Sequence, residues 1–469
     1  MDVLGKTAKL NELRDKIEAA AVNSSARKRL DMLFDEGSFV EMGAFVKKRP
    51  TELCSDSLED EGVVTGYGAV NGNLVFAFAQ EPEILKGSIS EMHAQKICNI
   101  IDMAIKADAP VVSMIDSSGI RLAEGIDALT GYGKVLSKFN ELIGNVLHVS
   151  IVFGVCSGAF SFVPALADYT IMLEKAELFL SSPDVVTSRF GGDAAGTAKT
   201  AYKDGLVSVL CENDGDAVGK AIEFINMIIE PAATSDDINR LVPELDSILS
   251  QENYDVKKVI EALADDNKAL YIADGSAKNI VTALIRMNDF LVGVVANQPC
   301  EENGSLTSCA AKKASGFLCF CEDYDIPVLS LVDTEGFEPS KDESIADSAL
   351  LINTFSNIEV PKVSLVLGKA YGSGYLSMCS KATGADMALA LPTAEISALN
   401  PTIGGVFYGD DIISKSSEPA KGRQEAIAEY KEKVASPYEA AKRGYIDDII
   451  EPVTARQLLI SSFEVLACK

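Results

Sequence analysis

Two short stretches combine residue types that can do chemistry without a side-chain acid, base or metal. Ser150 to Ala167, SIVFGVCSGAFSFVPALA, is an apolar run ending at Gly154, a turn of small residues (Cys156-Ser157-Gly158-Ala159), and then apolar residues at helical spacing. A strand-turn-helix of this kind leaves the first N–H groups of the helix without intrahelical acceptors, and small side chains let a ligand oxygen approach them. The chemistry it suits is holding an anion or an oxyanion, although a glycine that only permits tight packing reads the same way. Val363 to Ala388, VSLVLGKAYGSGYLSMCSKATGADMA, repeats the arrangement, with Gly372-Ser373-Gly374 at its turn.

The elements that must position these turns are repeated as well. Ala109 to Ser117 (APVVSMIDS) matches Ile326 to Thr334 (IPVLSLVDT) at a spacing of 217, and the stretch from Ala167-Asp168 to Pro183 matches Ala385-Asp386 to Pro401 at 218. At 217 again, Val64-Thr65 matches Val281-Thr282, Asn71 matches Asn288, Pro82 matches Pro299 and Gly87-Ser88 matches Gly304-Ser305. The chain is an internal duplication, and two copies of one N–H-rich turn suggest two related tasks on two related carbonyl groups.

With 469 residues, 47% of them hydrophobic, each half can bury its own core. A net charge of −27 disfavours nucleic-acid or anionic-membrane binding, which needs clustered Lys and Arg. The basic runs Arg27-Lys28-Arg29 and Lys47-Lys48-Arg49 either meet the phosphates of a small ligand or form a solvated face. Ten cysteines lack paired spacing, and Cys319-x-Cys321 has no second cluster to complete a metal set, so they are expected to be reduced and mostly in the core of a cytoplasmic protein. With only His93 and His148, neither a zinc site nor a Ser-His catalytic pair is expected. The start, MDVLGKTAKLNELRDKIEAA, reads as a charged amphipathic helix rather than a signal peptide, and no apolar run approaches the ~20 residues of a membrane span.

Along the chain, residues 7–34 form a helical arm with Asn23-Ser24-Ser25 capping its second helix. Phe39 to Gln80 alternates, and Asn71-Gly72 reads as a hairpin turn. A helix over Ile89 to Lys106 and a buried strand over Val111 to Ile115 set the α/β rhythm. Asp116-Ser117-Ser118-Gly119-Ile120-Arg121 then forms a polar loop at the carboxyl end of a parallel-type strand, where such folds hold ligands, unless it only caps the next helix (Ile126 to Asn140). Gly191 to Gly196 is glycine-rich without the strand a dinucleotide fingerprint requires, and is expected to be a flexible cover. Residues 230–256 are polar with two prolines and mark the boundary, giving an N-terminal domain 1–235 and a C-terminal domain 236–469. Residues 410–445 read as a charged helical segment and Ala455 to Ala467 as a closing helix.

The pieces ARKRLDMLFDEGSFVEM, EGVVTGYGAVNG, SEMHAQKICNIIDMAIKADAPVVSMIDSSGIRLAEGIDALTGYG, GVCSGAFSFVPALADYTIML, NRLVPELDSIL, AKNIVTALIRMNDFLVGVVANQP and GKAYGSGYLSMCSKATGADMALALPTAEI span nearly the full length. Through them the chain resembles the biotin-dependent acyl-CoA carboxyltransferases: the carboxyltransferase subunits of propionyl-CoA and acetyl-CoA carboxylases and the alpha subunits of methylmalonyl-CoA decarboxylases. The resemblance implies an α/β fold of two tandem crotonase-like domains, acyl-CoA on the first and carboxybiotin on the second. It implies an oxyanion hole for the thioester at Gly158 and Ala159 and one for the biotin ureido oxygen at Ser373 and Gly374. Substrate contacts are expected from Ser117, Ser118, Gly119, Ile120, Tyr375 and Leu376. It further implies biotin on a separate carrier protein, a coenzyme A thioester as substrate and no metal. The implied partners are a biotin carboxyl carrier protein with a biotin carboxylase or a membrane decarboxylase beta subunit. A cytoplasmic, dimer-based homo-oligomer, up to a hexamer and membrane-associated only through partners, completes the expectation.

The physics agrees with this division, because an enolate and a ureido oxyanion each need a preorganised N–H pair, one donor being worth ~3 kcal/mol. The sequence departs from the family at four places. Paired glycines are replaced by Gly158-Ala159 and Gly372-Ser373. The loop GFEPSKDESIADSALLINTF lacks the family's His-Gly-Ala-Lys run, and Leu376 stands where several carboxylases have aspartate and the decarboxylase type an aliphatic residue, unless it is core packing. The altered loop leaves open a biotin-independent crotonase-type decarboxylase or hydrolase, and Ala159 with Ser373 leaves open a catalytically silent assembly subunit.

Overall fold

The computed structural model describes residues 3–49, 60–191, 196–230, 236–339 and 344–467. The chain divides into two compact units, Met1–Ile229 and Glu230–Lys469. Residues 231–235, which precede the expected boundary, lie outside the described residues.

In the first unit the strands are β1 (Val40–Met42), β2 (Val63–Val70), β3 (Asn73–Gln80), β4 (Val111–Ser117), β5 (His148–Ser157), β6 (Tyr169–Leu173), β7 (Glu177–Phe179) and β8 (Val209–Cys211). In the second they are β9 (Ala269–Ile272), β10 (Ile280–Met287), β11 (Phe290–Asn297), β12 (Val328–Thr334), β13 (Lys362–Tyr371), β14 (Met387–Ala390), β15 (Glu395–Ser397) and β16 (Asp448–Ile449). The sheet orders are β1-β2-β3-β4-β5-β6-β8 with β7 on β5, and β9-β10-β11-β12-β13-β14-β16 with β15 on β13. The second sheet repeats the first strand for strand, as a duplication requires.

Each sheet opens with antiparallel pairs and continues in parallel, the central strands being continuous apolar runs buried on both faces by helices. Asn71 and Gly72, both at positive φ, close the two-residue hairpin between β2 and β3 where Val70 faces Asn73. The helical arm is present as Val3–Ala21 and Ser25–Leu33, the Ser24 hydroxyl accepting the Arg27 N–H at 3.1 Å as the N-cap of the second helix.

Several expectations change. The basic runs are partly paired within the fold: Arg29 is buried, its Nε donating to Asp214 at 2.9 Å, its guanidinium 4.2 Å over the Phe153 ring, and Arg27 pairs with Glu41, while Lys28, Lys47 and Arg49 are exposed, the last two paired with Asp60 and Glu91. The cysteines are only half core: among the described residues Cys156, Cys211, Cys321 and Cys379 are buried, whereas Cys300, Cys309 and Cys319 are exposed. Residues 192–195 of the glycine-rich cover and 340–343 of the altered loop lie outside the described residues.

One device appears in both units. Lys96 is buried and donates to the Val63 carbonyl at 2.6 Å; its repeat, Lys313, donates to Ser276 and Ile280 carbonyls, each at 2.9 Å. Each ties a helix to the first carbonyl of β2 or β10, and burial pushes each ammonium down to about 8. In the unfolded chain a lysine binds its proton up to about 10.4. Between those values the unfolded state holds more protons, so these lysines make stability rise with pH. Relative to Lys96→Met, the native chain is expected to gain about 2 kcal/mol between pH 7.5 and 9.5 in denaturant titrations; a constant difference would contradict this.

Candidate active site

Both turns begin where a central parallel strand ends. β5 runs into a single 3-10 turn, Gly158–Ser161, and one helical turn, Phe162–Ala165; β13 runs into the six-residue helix Gly372–Ser377. These helices are shorter than the sequence suggests, so the local amides rather than a long helix dipole supply the positive potential. Gly158 (φ 66°) and Gly372 (φ 50°) occupy the left-handed region and turn the chain out of the strand. Ala159 and Ser373 follow with negative φ in right-handed turns, where a Cβ is tolerated, so these substitutions leave the backbone N–H groups in place.

Under each turn sits a carboxylate, Asp116 of the polar loop in the first unit and its repeat Asp333 in the second, that the sequence does not mark as a support of the turn. In the first unit Asp116 Oδ1 accepts the Val155 N–H at 3.3 Å, while the Asp116 N–H donates to Gln80 Oε1 at 3.1 Å. In the second, Asp333 Oδ1 accepts the Lys369 N–H at 3.0 Å, and the Asp333 N–H donates to Asn297 Oδ1 at 3.2 Å. The far oxygen is held by Arg29 at 3.4 Å in one case and by the Tyr254 hydroxyl at 2.9 Å in the other. The register between the two strands shifts at this point in both sheets, after Ile115 and after Val332. The carboxylates thus pin the distortion that leads each strand into its turn. Burial pushes both above the ordinary carboxylate range, with Arg29 opposing it at Asp116 and Lys369 at Asp333. Their repetition at a spacing of 217, with Gly154 and Gly368 repeated at 214, is the signal that would have found them.

The expected binding loop lies against the first turn. A Cβ on Gly119 (φ 93°) would stand 2.9 Å from Ser157 Oγ, so the close approach requires glycine. Ser117 is fully buried and fully used, its hydroxyl donating to the Gly87 carbonyl at 2.8 Å and accepting the Gly119 N–H at 3.1 Å. Ser118 is exposed, and Ile120 bridges Ile89. Arg121 anchors the loop through a buried ion pair with Glu61 and a 2.8 Å bond to the Ser88 carbonyl. In the second unit the equivalent loop approaches its turn as closely: a Cβ on Gly374 would come within 2.7 Å of Gly336 Cα.

The turns therefore bring Gly158 and Ala159 together with Ser117 to Ile120, and Ser373 and Gly374 together with Gly336, Tyr375 and Leu376. Ser373 is exposed. Leu376 is 41% exposed, so it is not core packing. Tyr375 is half-buried, and burial pushes its phenol up to about 12. The repeat aligns Gly158-Ala159 with Gly372-Ser373, so Ser373 is shared by either pairing and Gly374 stands where the first turn has Phe160.

Neither histidine meets the turns directly, His93 reaching Asp116 only through Gln80. His148 Nε2 and Ser113 Oγ are 2.9 Å apart, but both residues are buried near the entry ends of β4 and β5, where burial pushes the imidazole down to about 3. His93 is buried beside Gln80. Among the described residues no group of three or more His, Cys, Asp or Glu side chains could hold a metal ion, and no helix is long and apolar enough to cross a membrane.

Comparison with known proteins accounts for the whole architecture. The Carboxyl transferase domain family matches residues 19–469. The alpha subunit of methylmalonyl-CoA decarboxylase from Propionigenium modestum is 37% identical over 96% of this chain and 91% of its own. The mitochondrial propionyl-CoA carboxylase beta chain from Homo sapiens is 37% identical over 95% and 86%. The crystal structure of transcarboxylase 12S, described as a hexamer with methylmalonyl-coenzyme A and methylmalonic acid bound, superposes with a TM-score of 0.93 at 34% identity, covering 100% of this chain and 96% of that one. The two repeated units are thus the crotonase-like domains expected from the sequence. The chain belongs to the carboxyl transferase family and is an acyl-CoA carboxyltransferase of the propionyl-CoA carboxylase and methylmalonyl-CoA decarboxylase type.

Proposed function

We propose that this chain moves a carboxyl group between biotin on a separate carrier protein and a short-chain acyl-CoA, the pair being propionyl- and methylmalonyl-CoA or acetyl- and malonyl-CoA. The observation that carries the reading is the duplicated turn, with the same strand, carboxylate pin and left-handed glycine beneath two sets of N–H groups.

Removing a carboxyl group from, or adding it to, the carbon beside a thioester passes through an enolate whose oxygen gains charge. Gly158 and Ala159 are the donors for that oxygen, and the loop from Ser118 to Ile120, anchored by the buried Ser117, lines their approach. Carboxybiotin, when bound, supplies the carboxyl group and leaves charge on its ureido oxygen. The small-residue turn at Ser373 and Gly374 suits such an oxygen, because Ser373 stands exposed and the buried Gly374 adds no side chain. In each half-reaction the donors are fixed by the sheet before charge develops, so no reorganisation is required when it does. Leu376 and Tyr375 border the second turn.

Direction is set by the partner that meets the biotin carrier, a biotin carboxylase or a membrane decarboxylase beta subunit. The hexamer recorded for transcarboxylase 12S supports a dimer-based homo-oligomer here, with attachment to a membrane only through partner subunits.

The test is transfer of labelled carboxylate from methylmalonyl-CoA or malonyl-CoA to a biotinylated carrier protein by the purified chain. Label is expected on the carrier, with no loss of carbon dioxide when biotin is omitted. Decarboxylation without biotin would establish the biotin-independent reaction instead, and no transfer with any of these thioesters would show a silent subunit.

A further inference from the structure

The first turn has a support that its repeat lacks among the described residues. Tyr132, on the helix Ile126–Leu142, is 6% exposed, and its hydroxyl accepts the Phe160 N–H at 2.7 Å while donating to the Ser157 carbonyl at 3.3 Å. One phenol therefore bridges the residue before Gly158 and the residue after Ala159. It lies directly behind the glycine, since a Cβ on Gly158 would meet only Tyr132 Oη, at 3.8 Å. Its ring packs on Phe160 with centroids 5.8 Å apart. Burial raises the phenol above its ordinary range, so it keeps the proton it donates to Ser157.

In the repeat, Phe160 corresponds to Gly374. The helix there, Ile345–Asn357, carries no tyrosine, and its Thr354 and Ser356 hydroxyls donate to the Leu350 and Ile352 carbonyls. A turn with so few bonds of its own can swing its peptide planes, and an oxyanion hole works only if they do not.

We infer that Tyr132 is a positioning residue of the acyl-CoA half-reaction: by taking the Phe160 N–H and the Ser157 carbonyl it fixes the turn so that the Gly158 and Ala159 amides, and no third one, face the thioester oxygen. The inference rests on the assignment of that turn to the thioester. It also makes the two holes unequal, since among the described residues no side chain takes the Gly374 N–H, and the second turn keeps it for its own ligand.

The experiment uses the full chain in its assembled form and two coenzyme A ligands. One is a nitronate thioether of coenzyme A, whose planar anion copies the enolate; the other is S-ethyl-coenzyme A, which has no oxygen to bind. Tyr132→Phe is expected to weaken the nitronate about tenfold while S-ethyl-coenzyme A changes less than twofold, and amide exchange at Phe160 is expected to rise. Should Tyr132→Phe fail to fold, 3,5-difluorotyrosine at 132, of the same shape but a poorer acceptor, is expected to lower the nitronate preference two- to threefold. An unchanged ratio of the two affinities, or an equal loss of both, would overturn the role of Tyr132 whatever happened to thermal stability. If the unaltered chain itself failed to prefer the nitronate, the thioester assignment of the first turn would fall, and the inference with it.

Discussion

Replacing Ala159 by proline is expected to lower carboxyl transfer by two to three orders of magnitude while the protein stays folded. The substitution deletes one N–H, and one oxyanion donor is worth about 3 kcal/mol of transition-state stabilisation. Ala159 lies in the first turn of a right-handed segment with negative φ, a position that tolerates a proline ring and where the amide has no partner within the helix. Binding of S-ethyl-coenzyme A should hold within a few-fold, because a ligand without a carbonyl does not use the amide. Steady-state kinetics beside a thermal melt checks both halves of the expectation. Retention of full turnover would show that the Ala159 amide does not face the reacting oxygen.

The second large effect concerns the scaffold. Gly154→Ala would place a Cβ 2.2 Å from Asp116 Oδ1, and Gly368→Ala would place one 2.5 Å from Asp333 Oδ2. Neither carboxylate can retreat, since each also accepts a backbone N–H and is held on its far side. Moving it would leave a buried charge or an amide unsatisfied. Each substitution is therefore expected to cost about 3 kcal/mol or more, in its own unit. Denaturant unfolding would measure this; a loss within 0.5 kcal/mol at both positions would mean that the carboxylates do not pin the turns. Gly133→Ala is the control, because nothing lies within 4 Å of the Cβ it would add.

Much of this was legible because a duplication reads the sequence twice. The hairpin at Asn71-Gly72, the strands Val111–Ser117 and Val328–Thr334 and the two small-residue turns each announce themselves by local chemistry, and the repeat confirms that the pattern is a scaffold. The parts that escaped are those where distant residues meet. Glu61 and Arg121 are buried only because they neutralise each other across 60 positions, and Arg29 reads as one of a basic run until the fold sets Asp116 and Asp214 beside it.

Helices escaped where glycine disguised them. Pro401–Tyr408 holds Gly404 and Gly405, which read as breakers, yet a Cβ at either would come within 3 Å of Tyr430 or Ile427, so they serve close helix packing. The repeat could not reveal Tyr132, because the second half has no counterpart. A residue that distinguishes the halves is invisible to an argument built on their likeness.

The central claim is that backbone amides of the first turn hold the thioester oxygen while those of the second serve biotin. A structure of the assembled protein with a bound nitronate thioether of coenzyme A tests it most directly. The account predicts the ligand's anionic oxygen about 3 Å from the Gly158 and Ala159 nitrogens, with the Ser373 and Gly374 amides left to the biotin side. An oxygen bound instead by the second turn, or by a side chain away from both, would contradict it.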